Sequence, residues 1–247
     1  MSQIRPESEN QAVQRSLESS YCPPPIREAR ERQDQLLLDR LAGARHQIAD
    51  IGCGNGYHAV MLQPVCAVYH GFEISPAIAD TARALWQREG VQNAEIFLTD
   101  AAEAELAPGF YDVALCLYFT PGNLRDRGAA LSLYTDAYLD RNPVFIGILS
   151  RFWAALRPEG SMFLTVYQDV PAAEAAQVDF YENTGQHVVT PPGSRFVATR
   201  EGFWSARWTK RSLLSNLEGC GIEPRQVQLH ELNPIAWLVE IRKSGGG

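Results

Sequence analysis

Short apolar runs alternate with amphipathic stretches along the middle of the chain. The apolar runs predict buried strands at 47–51, 67–73, 95–99, 111–117 and 161–167. Between them, apolar residues recur at helical spacing and predict helices at 57–62, 76–89 and 143–156. The pattern ends with a helix at about 210–218 and strands at about 225–230 and 236–242. This alternation of strands and helices predicts an α/β fold.

The strongest local signal lies in the stretch 48–56, where an apolar strand runs into a turn. Glycines occupy alternate positions of this turn: Gly52, Gly54 and Gly56. Glycine at such positions permits φ > 0 or lets a ligand come close to the main chain. A dinucleotide fingerprint would need glycine in place of Tyr57, and the G-K-[ST] of a phosphate-binding loop is absent. Asp50 inside the turn would repel a pyrophosphate but would suit a cationic or zwitterionic ligand.

The motif formed by Asp50, Gly52, Gly54 and Gly56 resembles the D-x-G-x-G-x-G signature of class I S-adenosylmethionine-dependent methyltransferases of the small-molecule type. The alternative is a glycine turn that binds no ligand. The resemblance covers 44–167 well and 209–243 loosely. It implies a doubly wound, Rossmann-like α/β sheet of seven strands, with S-adenosylmethionine as cofactor and S-adenosylhomocysteine as product.

Acidic residues follow the second and third predicted strands. Glu73 lies 23 positions after Asp50, where a carboxylate accepts hydrogen bonds from two ribose hydroxyls, although an exposed strand-end acid is the alternative. Asp100, with the Ala101 amide, resembles the family position that contacts adenine, and the stretch 100–103 also fits a helix capping box. The cofactor-binding residues implied by the resemblance are Asp50, Gly52, Cys53, Gly54, Gly56, Glu73, Ile74, Asp100, Ala101, Leu117 and Tyr118.

Two aromatic residues, Tyr118 and Phe119, follow the fourth strand. The resemblance implies that they lie near the sulfonium, since an electron-rich ring face suits a cation, but two core aromatics would give the same pattern. We predict Tyr118 and His187 as catalytic residues, each acting as a base or as an orienting group. Further candidates for this role are Tyr21, His230 and Glu201, although a single histidine is more often structural.

Two segments lie outside the resemblance and are predicted to select the acceptor. The N-terminal segment 1–43 holds a helix at roughly 26–42, which is either a lid over the cofactor or a helix packed on the sheet edge. Within the methyltransferase domain 44–243, the insertion 168–208 between strands five and six is read as a substrate cap. A sheet-covering insertion without substrate contact is the alternative.

Inside the insertion, stretches 187–190 and 195–199 flank Pro191-Pro192-Gly193-Ser194, which predicts a hairpin. The predicted substrate-binding residues are the aromatic residues Tyr21, Phe119, Trp204 and Trp208. Residues 244–247 are predicted to form a flexible tail.

The amino-acid composition and net charge limit the classes of substrate and partner that we expect. The 247 residues carry a net charge of −7, and Lys210 and Lys243 are the only lysines, so nucleic acid is an unlikely substrate. No run of 18 apolar residues predicts a membrane span. The polar N-terminus and five scattered cysteines without a C-x-x-C motif predict a cytoplasmic protein with reduced thiols and no metal site.

The sequence therefore predicts an enzyme that transfers a methyl group from S-adenosylmethionine to a small metabolic or natural-product acceptor by in-line displacement. Methylation of a protein or tRNA is an alternative, and it predicts a basic or extended groove. A third possibility is a protein that binds S-adenosylmethionine without transferring the methyl group. The acceptor atom and the oligomeric state are not encoded in any motif of the chain.

Overall fold

The computed structural model describes residues 21–245, so the polar stretch before Tyr21 and the last two residues of the predicted tail lie outside the described residues. Within this range the strands are β1 (His46–Ile51), β2 (Cys66–Glu73), β3 (Ala94–Leu98), β4 (Tyr111–Cys116), β5 (Leu156–Gln168), β6 (Phe196–Ala198), β7 (Trp204–Trp208), β8 (Val227–Asn233) and β9 (Ala236–Arg242). The helices are α1 (Pro24–Leu41), α2 (Tyr57–Met61), α3 (Pro76–Glu89), α4 (Asp136–Asp140), α5 (Pro143–Ala155), α6 (Pro171–Asn183) and α7 (Lys210–Gly219).

The five strands β1 to β5 run parallel in the order β3-β2-β1-β4-β5. Strand β9 continues the sheet antiparallel to β5, and β8 pairs antiparallel with β9. This arrangement confirms the predicted Rossmann-like α/β fold. The order reverses between β1 and β4, and ligands of open α/β sheets bind outside the carboxyl ends of the strands at such a point.

The sheet has nine strands in the described residues, so the predicted count of seven was wrong. The insertion supplies the two additional strands, because β7 pairs with the last two residues of β5 and β6 pairs with β7. The predicted hairpin around Pro191 is reduced to a single bridge between Val188 and Thr199. The insertion also contains the helix α6, which we did not predict from its alanine-rich sequence.

Both faces of the sheet are covered, as in a doubly wound fold. Strand β4 is buried along its whole length. Val113 and Leu115 belong to one apolar cluster together with residues of α1 and α3, whereas Ala114 and Cys116 belong to a second cluster with residues of α5 and α7. Continuous burial of this kind explains why the strand has no polar alternation.

The helix starts follow local signals only in part. The Asn142 side chain accepts from the Val144 and Phe145 amides and caps α5, and Thr209 with Ser212 forms a capping box on α7. Ser75 precedes α3, but its side chain makes no capping bond. Asp100 does not cap a helix either, since residues 101–103 form a turn.

Membrane-spanning helices, metal-binding groups and disulfides are all absent from the described residues. No helix between residues 21 and 245 has the length and apolar character needed to cross a bilayer. In the same range, no three His, Cys, Asp or Glu side chains come together as a metal-binding group. All five cysteines are free thiols.

Candidate functional site

A cavity of about 770 Å³ lies at the carboxyl ends of β1 to β4, where the strand order reverses. Its lining from these strand ends consists of Asp50, Gly52, Cys53, Gly54, Asn55, Glu73, Ile74, Thr99, Asp100, Ala101, Ala102, Leu117 and Tyr118. Ten of the eleven predicted cofactor-binding residues are in this set, and the eleventh, Gly56, is the buried last glycine of the turn. The volume is typical of a small-molecule site.

The glycine turn needs glycine for two different reasons. All three glycines have positive φ, +67° at Gly52, +56° at Gly54 and +75° at Gly56. A Cβ on Gly54 would meet no atom within 4 Å, so its main chain is open to a ligand. A Cβ on Gly56 would lie 2.5 Å from Nε1 of Trp86, which donates to the Gly56 carbonyl at 2.8 Å. Glycine at position 54 therefore keeps the main chain open to the cavity, and glycine at position 56 permits the close contact with α3.

Glu73 is held by main-chain donors at the end of β2. Its Oε1 accepts from the amides of Ile74 and Ser75, both at 2.9 Å, and its Oε2 accepts from the Gly54 amide at 3.2 Å. A carboxylate has about four acceptor sites, so one site on Oε2 stays available to a ligand in the cavity. Burial raises the pKa of Glu73, and the three amide donors act in the opposite direction.

Asp50 is almost fully buried beneath the turn and has partners within the protein. The Tyr69 hydroxyl donates to its Oδ2 at 2.5 Å, and Nδ1 of His58 lies 3.4 Å from the same oxygen. On the other side, Nε2 of His58 lies 3.8 Å from Oδ1 of Asp34. The signature aspartate thus begins a buried polar network that extends from β1 to α1.

Asp100 and Ala101 line the cavity at the end of β3. The Asp100 side chain accepts from the Ala102 amide at 2.9 Å and shapes the turn that follows the strand. The Ala101 side of this turn faces the same space as Glu73. The two predicted contacts for the nucleoside are therefore on adjacent strand ends.

Tyr118 occupies a strained corner after β4. Both Tyr118 and Phe119 have positive φ, 50° and 68°, which costs a non-glycine residue about 1–2 kcal/mol. The Tyr118 hydroxyl donates to Oδ2 of Asp34 at 2.7 Å. Burial and the neighbouring Asp34 raise the pKa of Tyr118 far above its ordinary value, so the hydroxyl keeps its proton at neutral pH. Backbone strain of this kind concentrates at functional sites.

Helix α1 forms a wall of the cavity with one polar face. Four residues at helical spacing form that face: Arg27, Arg30, Glu31 and Asp34. On the adjacent buried face, Gln33 is fully buried, and its Oε1 accepts from the Tyr118 amide at 3.3 Å and from the Thr165 hydroxyl. Helix α1 is therefore attached to β5 and to the corner after β4, and it lines the cavity at the same time.

Several predicted residues lie away from the cavity. Phe119 is buried and stacks on Tyr167 at a centroid distance of 3.7 Å, and Trp204 and Trp208 of β7 are each 1% exposed in the core. None of the three lines the cavity, so their predicted substrate contact was wrong. The core alternative holds for Phe119, and Trp204 and Trp208 are in the core because β7 is buried on both faces.

The histidine candidates are also outside the cavity. His187 is exposed and bonded to Glu201 at 2.7 Å, and His230 is bonded to Glu240 at 2.9 Å. Neither ring lines the cavity. Tyr21 does line the cavity, and its hydroxyl donates to Asp179 at 2.7 Å.

The structure adds residues that sequence reasoning missed. They come from α1, α2, the loop after β4, α6 and the insertion: Arg30, Asp34, His58, Asn123, Arg125, Phe180 and Phe203. The helical spacing of the polar residues 27, 30, 31 and 34 on α1 could have predicted two of them, Arg30 and Asp34. No local signal marks the others, because each reaches the cavity through the tertiary fold.

Comparisons with known proteins agree with this geometry. Residues 48–134 match the family model of a methyltransferase domain. No curated protein sequence matches the chain. Among solved structures, a 1,6-didemethyltoxoflavin-N1-methyltransferase of Burkholderia thailandensis, with 1,6-didemethyltoxoflavin and S-adenosylhomocysteine bound, is 17% identical, covers 99% of this chain and 93% of its own, and has a TM-score of 0.56.

Two other solved structures are similar to the chain. DhpI in complex with S-adenosylhomocysteine is 15% identical, with 96% of each chain covered and a TM-score of 0.61. A SAM-dependent methyltransferase of Aquifex aeolicus is 13% identical, with 90% of this chain and 99% of its own covered and a TM-score of 0.56.

The sheet order and the cavity at its reversal point define a class I methyltransferase fold, which these structures share. With the methyltransferase domain matched over residues 48–134, the chain has the fold of the class I S-adenosylmethionine-dependent methyltransferases, whose methyl donor is S-adenosylmethionine.

Proposed function

We propose that this enzyme transfers the methyl group of S-adenosylmethionine to a small-molecule acceptor bound in the same cavity. The observation that carries the proposal is the single cavity of about 770 Å³ that extends from the glycine turn, past Tyr118, to α1 and Phe180. Its size and its partly aromatic lining suit two small ligands rather than a polymer. The Burkholderia structure, which has 1,6-didemethyltoxoflavin and S-adenosylhomocysteine bound, gives further support.

The donor half of the proposed site comprises the ends of β1, β2 and β3. Glu73 would accept from a ribose hydroxyl through its free acceptor site, and Asp100 with the Ala101 amide would contact the adenine edge. The open main chain at Gly54 would face the methionine part. The residues present thus fit the donor, whose sulfonium supplies an already activated methyl group.

The acceptor half comprises Tyr118, Phe180 and Phe203, with Arg30 and Tyr21 at its border. In this half the chain excludes water and holds the acceptor in line with the methyl carbon. Positioning of this kind can contribute roughly 7–11 kcal/mol to catalysis. The Tyr118 ring borders both halves, and the cation of Arg30 lies 4.7 Å from its centroid.

Tyr118→Phe is expected to have a small catalytic effect. Because the hydroxyl keeps its proton and donates to Asp34, it cannot serve as a general base at neutral pH. We expect kcat to change by less than about tenfold, which is below the 10²–10⁴-fold contribution of a base. The pH–rate profile should keep its shape, and a lost or displaced limb in the variant would contradict this role.

Donor affinity is expected to fall on acidification. Burial raises the pKa of Glu73 above the ordinary 4.5, so below that raised pKa the side chain is neutral and a poorer acceptor for ribose hydroxyls. The same shift means that the folded protein holds this proton at a pH where the unfolded chain has released it. The buried charge therefore costs stability as the pH rises through this window. Calorimetric titration with S-adenosylhomocysteine from pH 8 to pH 5 measures the loss, and Glu73→Gln should flatten it.

The function is tested with fractions of a cell extract. The purified enzyme and labelled S-adenosylmethionine are incubated with a small-molecule ultrafiltrate, with the protein fraction and with the RNA fraction, and S-adenosylhomocysteine release is measured. Release that depends on the ultrafiltrate is expected. Label transfer to protein or RNA alone would establish the alternative substrates, and donor binding without release in any fraction would indicate a protein that does not transfer the methyl group.

A further inference from the structure

The acceptor half of the cavity contains a cation without a protein counter-ion. Arg30 projects from α1 over the rings of Tyr118, at 4.7 Å, and Phe180, at 6.0 Å. Its Nε is buried and has no hydrogen-bond partner. Among residues 21–245, no carboxylate forms an ion pair with its guanidinium, even though Glu31 and Asp34 are on the same helix.

Asp34 is occupied by other donors. Its Oδ1 accepts from Nε2 of Gln33 at 2.8 Å, and its Oδ2 accepts from the Tyr118 hydroxyl at 2.7 Å. Nε2 of His58 is a further neighbour of this carboxylate, at 3.8 Å. The network therefore holds the Asp34 carboxylate away from Arg30 and leaves the charge of Arg30 to face the cavity.

Other arginines with little exposure are paired within the protein. Arg207 lies 3.4 Å from carboxylate oxygens of both Asp169 and Glu174, and Arg195 is bonded to Asp140 at 2.8 Å. A partly desolvated guanidinium without such a partner is costly, and a ligand anion offsets the cost through charge-assisted bonds. Arginine is also the residue best shaped for two-point contact with a carboxylate or phosphate.

We propose that the acceptor is a small organic acid, and that Arg30 binds its carboxylate or phosphate while Tyr118, Phe180 and Phe203 surround its apolar body. This inference rests on the proposed function, because it names the acceptor class for the same site. The aromatic rings near the guanidinium define where the apolar part lies, and the cation fixes which end of the acceptor faces α1. Arg30 is thus a specificity-determining residue that sets the orientation of the methylated atom.

The test uses the full-length enzyme saturated with S-adenosylhomocysteine and pairs of probes that differ only in charge. The pairs are benzoate with benzamide, 3-phenylpropionate with its amide, and phenyl phosphate with phenol, each titrated by calorimetry. For at least one pair we expect the anion to bind at least about tenfold more tightly, equivalent to about 1.4 kcal/mol. Arg30→Gln should reduce this preference below about threefold, and Arg30→Lys should restore part of it.

Arg83→Gln is the matched control, because Arg83 is an exposed arginine of α3 paired with Asp80. It should leave both the preference and the affinity for S-adenosylhomocysteine unchanged. Equal binding of anions and neutral probes, or a preference that persists in Arg30→Gln, would overturn the inference. A tenfold loss of S-adenosylhomocysteine affinity in Arg30→Gln would also overturn it, since Arg30 would then hold the methionine carboxylate of the donor. If the unmodified enzyme binds no S-adenosylhomocysteine, the proposed function itself fails.

Discussion

Glu73→Ala is expected to weaken S-adenosylhomocysteine binding by at least about tenfold, equivalent to about 1.4 kcal/mol. The carboxylate is the one acidic group at the end of β2, and three amides fix its direction toward the cavity. Bonds from ribose hydroxyls to a charged acceptor each contribute about 1.5–3 kcal/mol, and alanine cannot replace them. Calorimetric titration at pH 7.5 measures the change.

Glu95→Ala is the control for this variant, because Glu95 is an exposed acid on the neighbouring strand β3. It should bind S-adenosylhomocysteine as the unmodified enzyme does. Glu73→Gln retains the shape of the side chain and should show an intermediate loss. If Glu73→Ala and Glu95→Ala bind equally well, the donor is not held at the end of β2.

Gly56→Ala is expected to destabilise the fold by about 2–5 kcal/mol in total. Part of this cost, about 1–2 kcal/mol, comes from a non-glycine residue at φ +75°. The rest comes from overpacking, typically about 1–3 kcal/mol, since the new methyl would lie 2.5 Å from Nε1 of Trp86 and 2.9 Å from Cβ of Ala82. Urea denaturation followed by circular dichroism measures the free energy of unfolding.

Gly90→Ala separates the two contributions. Gly90 has a similar φ of +69° at the end of α3, and a Cβ there meets nothing within 4 Å. It should lose only the backbone part, about 1–2 kcal/mol. Equal losses in the two variants would mean that the contact between the glycine turn and α3 accommodates a methyl group without strain.

The residues that we propose to bind the donor could be predicted from the sequence, because their signals are local. A glycine turn after one strand and acids after the next two strands are set by neighbours in the chain, and parallel strands bring their carboxyl ends to one edge. Asp50 shows the limit of this reasoning. Its position was predicted, but its partners Tyr69 and His58 come from β2 and α2.

The residues that we propose to surround the acceptor could not be predicted, because they meet only through the tertiary fold. Trp204 and Trp208 were predicted from their aromatic character, but the pairing of β7 with β5 buries them in the core. Phe203, one position before this strand, lines the cavity instead. On α1, the residues that line the cavity are the polar ones, among them Arg30 and Asp34, and no motif marks them.

Residues at typical helix-cap positions predicted the local structure less well than residues at strand ends did. Ser75 and Asp100 both stand where a capping residue is common, but neither side chain caps a helix. The Ser75 amide donates to Glu73, and Asp100 shapes a turn. At the edge of the cavity, these two residues therefore stabilise the loops that line it and do not cap the helices.

The attachment of α1 through Gln33 has a consequence for how substrate range can change. Apart from Tyr118, the parts that we propose to contact the acceptor, α1 and the insertion with α6, lie outside the matched segment 48–134, which holds the strand ends of the proposed donor half. Replacement of either part can alter the acceptor while the donor chemistry is conserved, provided that the buried amide of Gln33 still joins the Tyr118 amide to Thr165. Chimeras with related enzymes should therefore exchange α1 together with its contacts on β5, as one module.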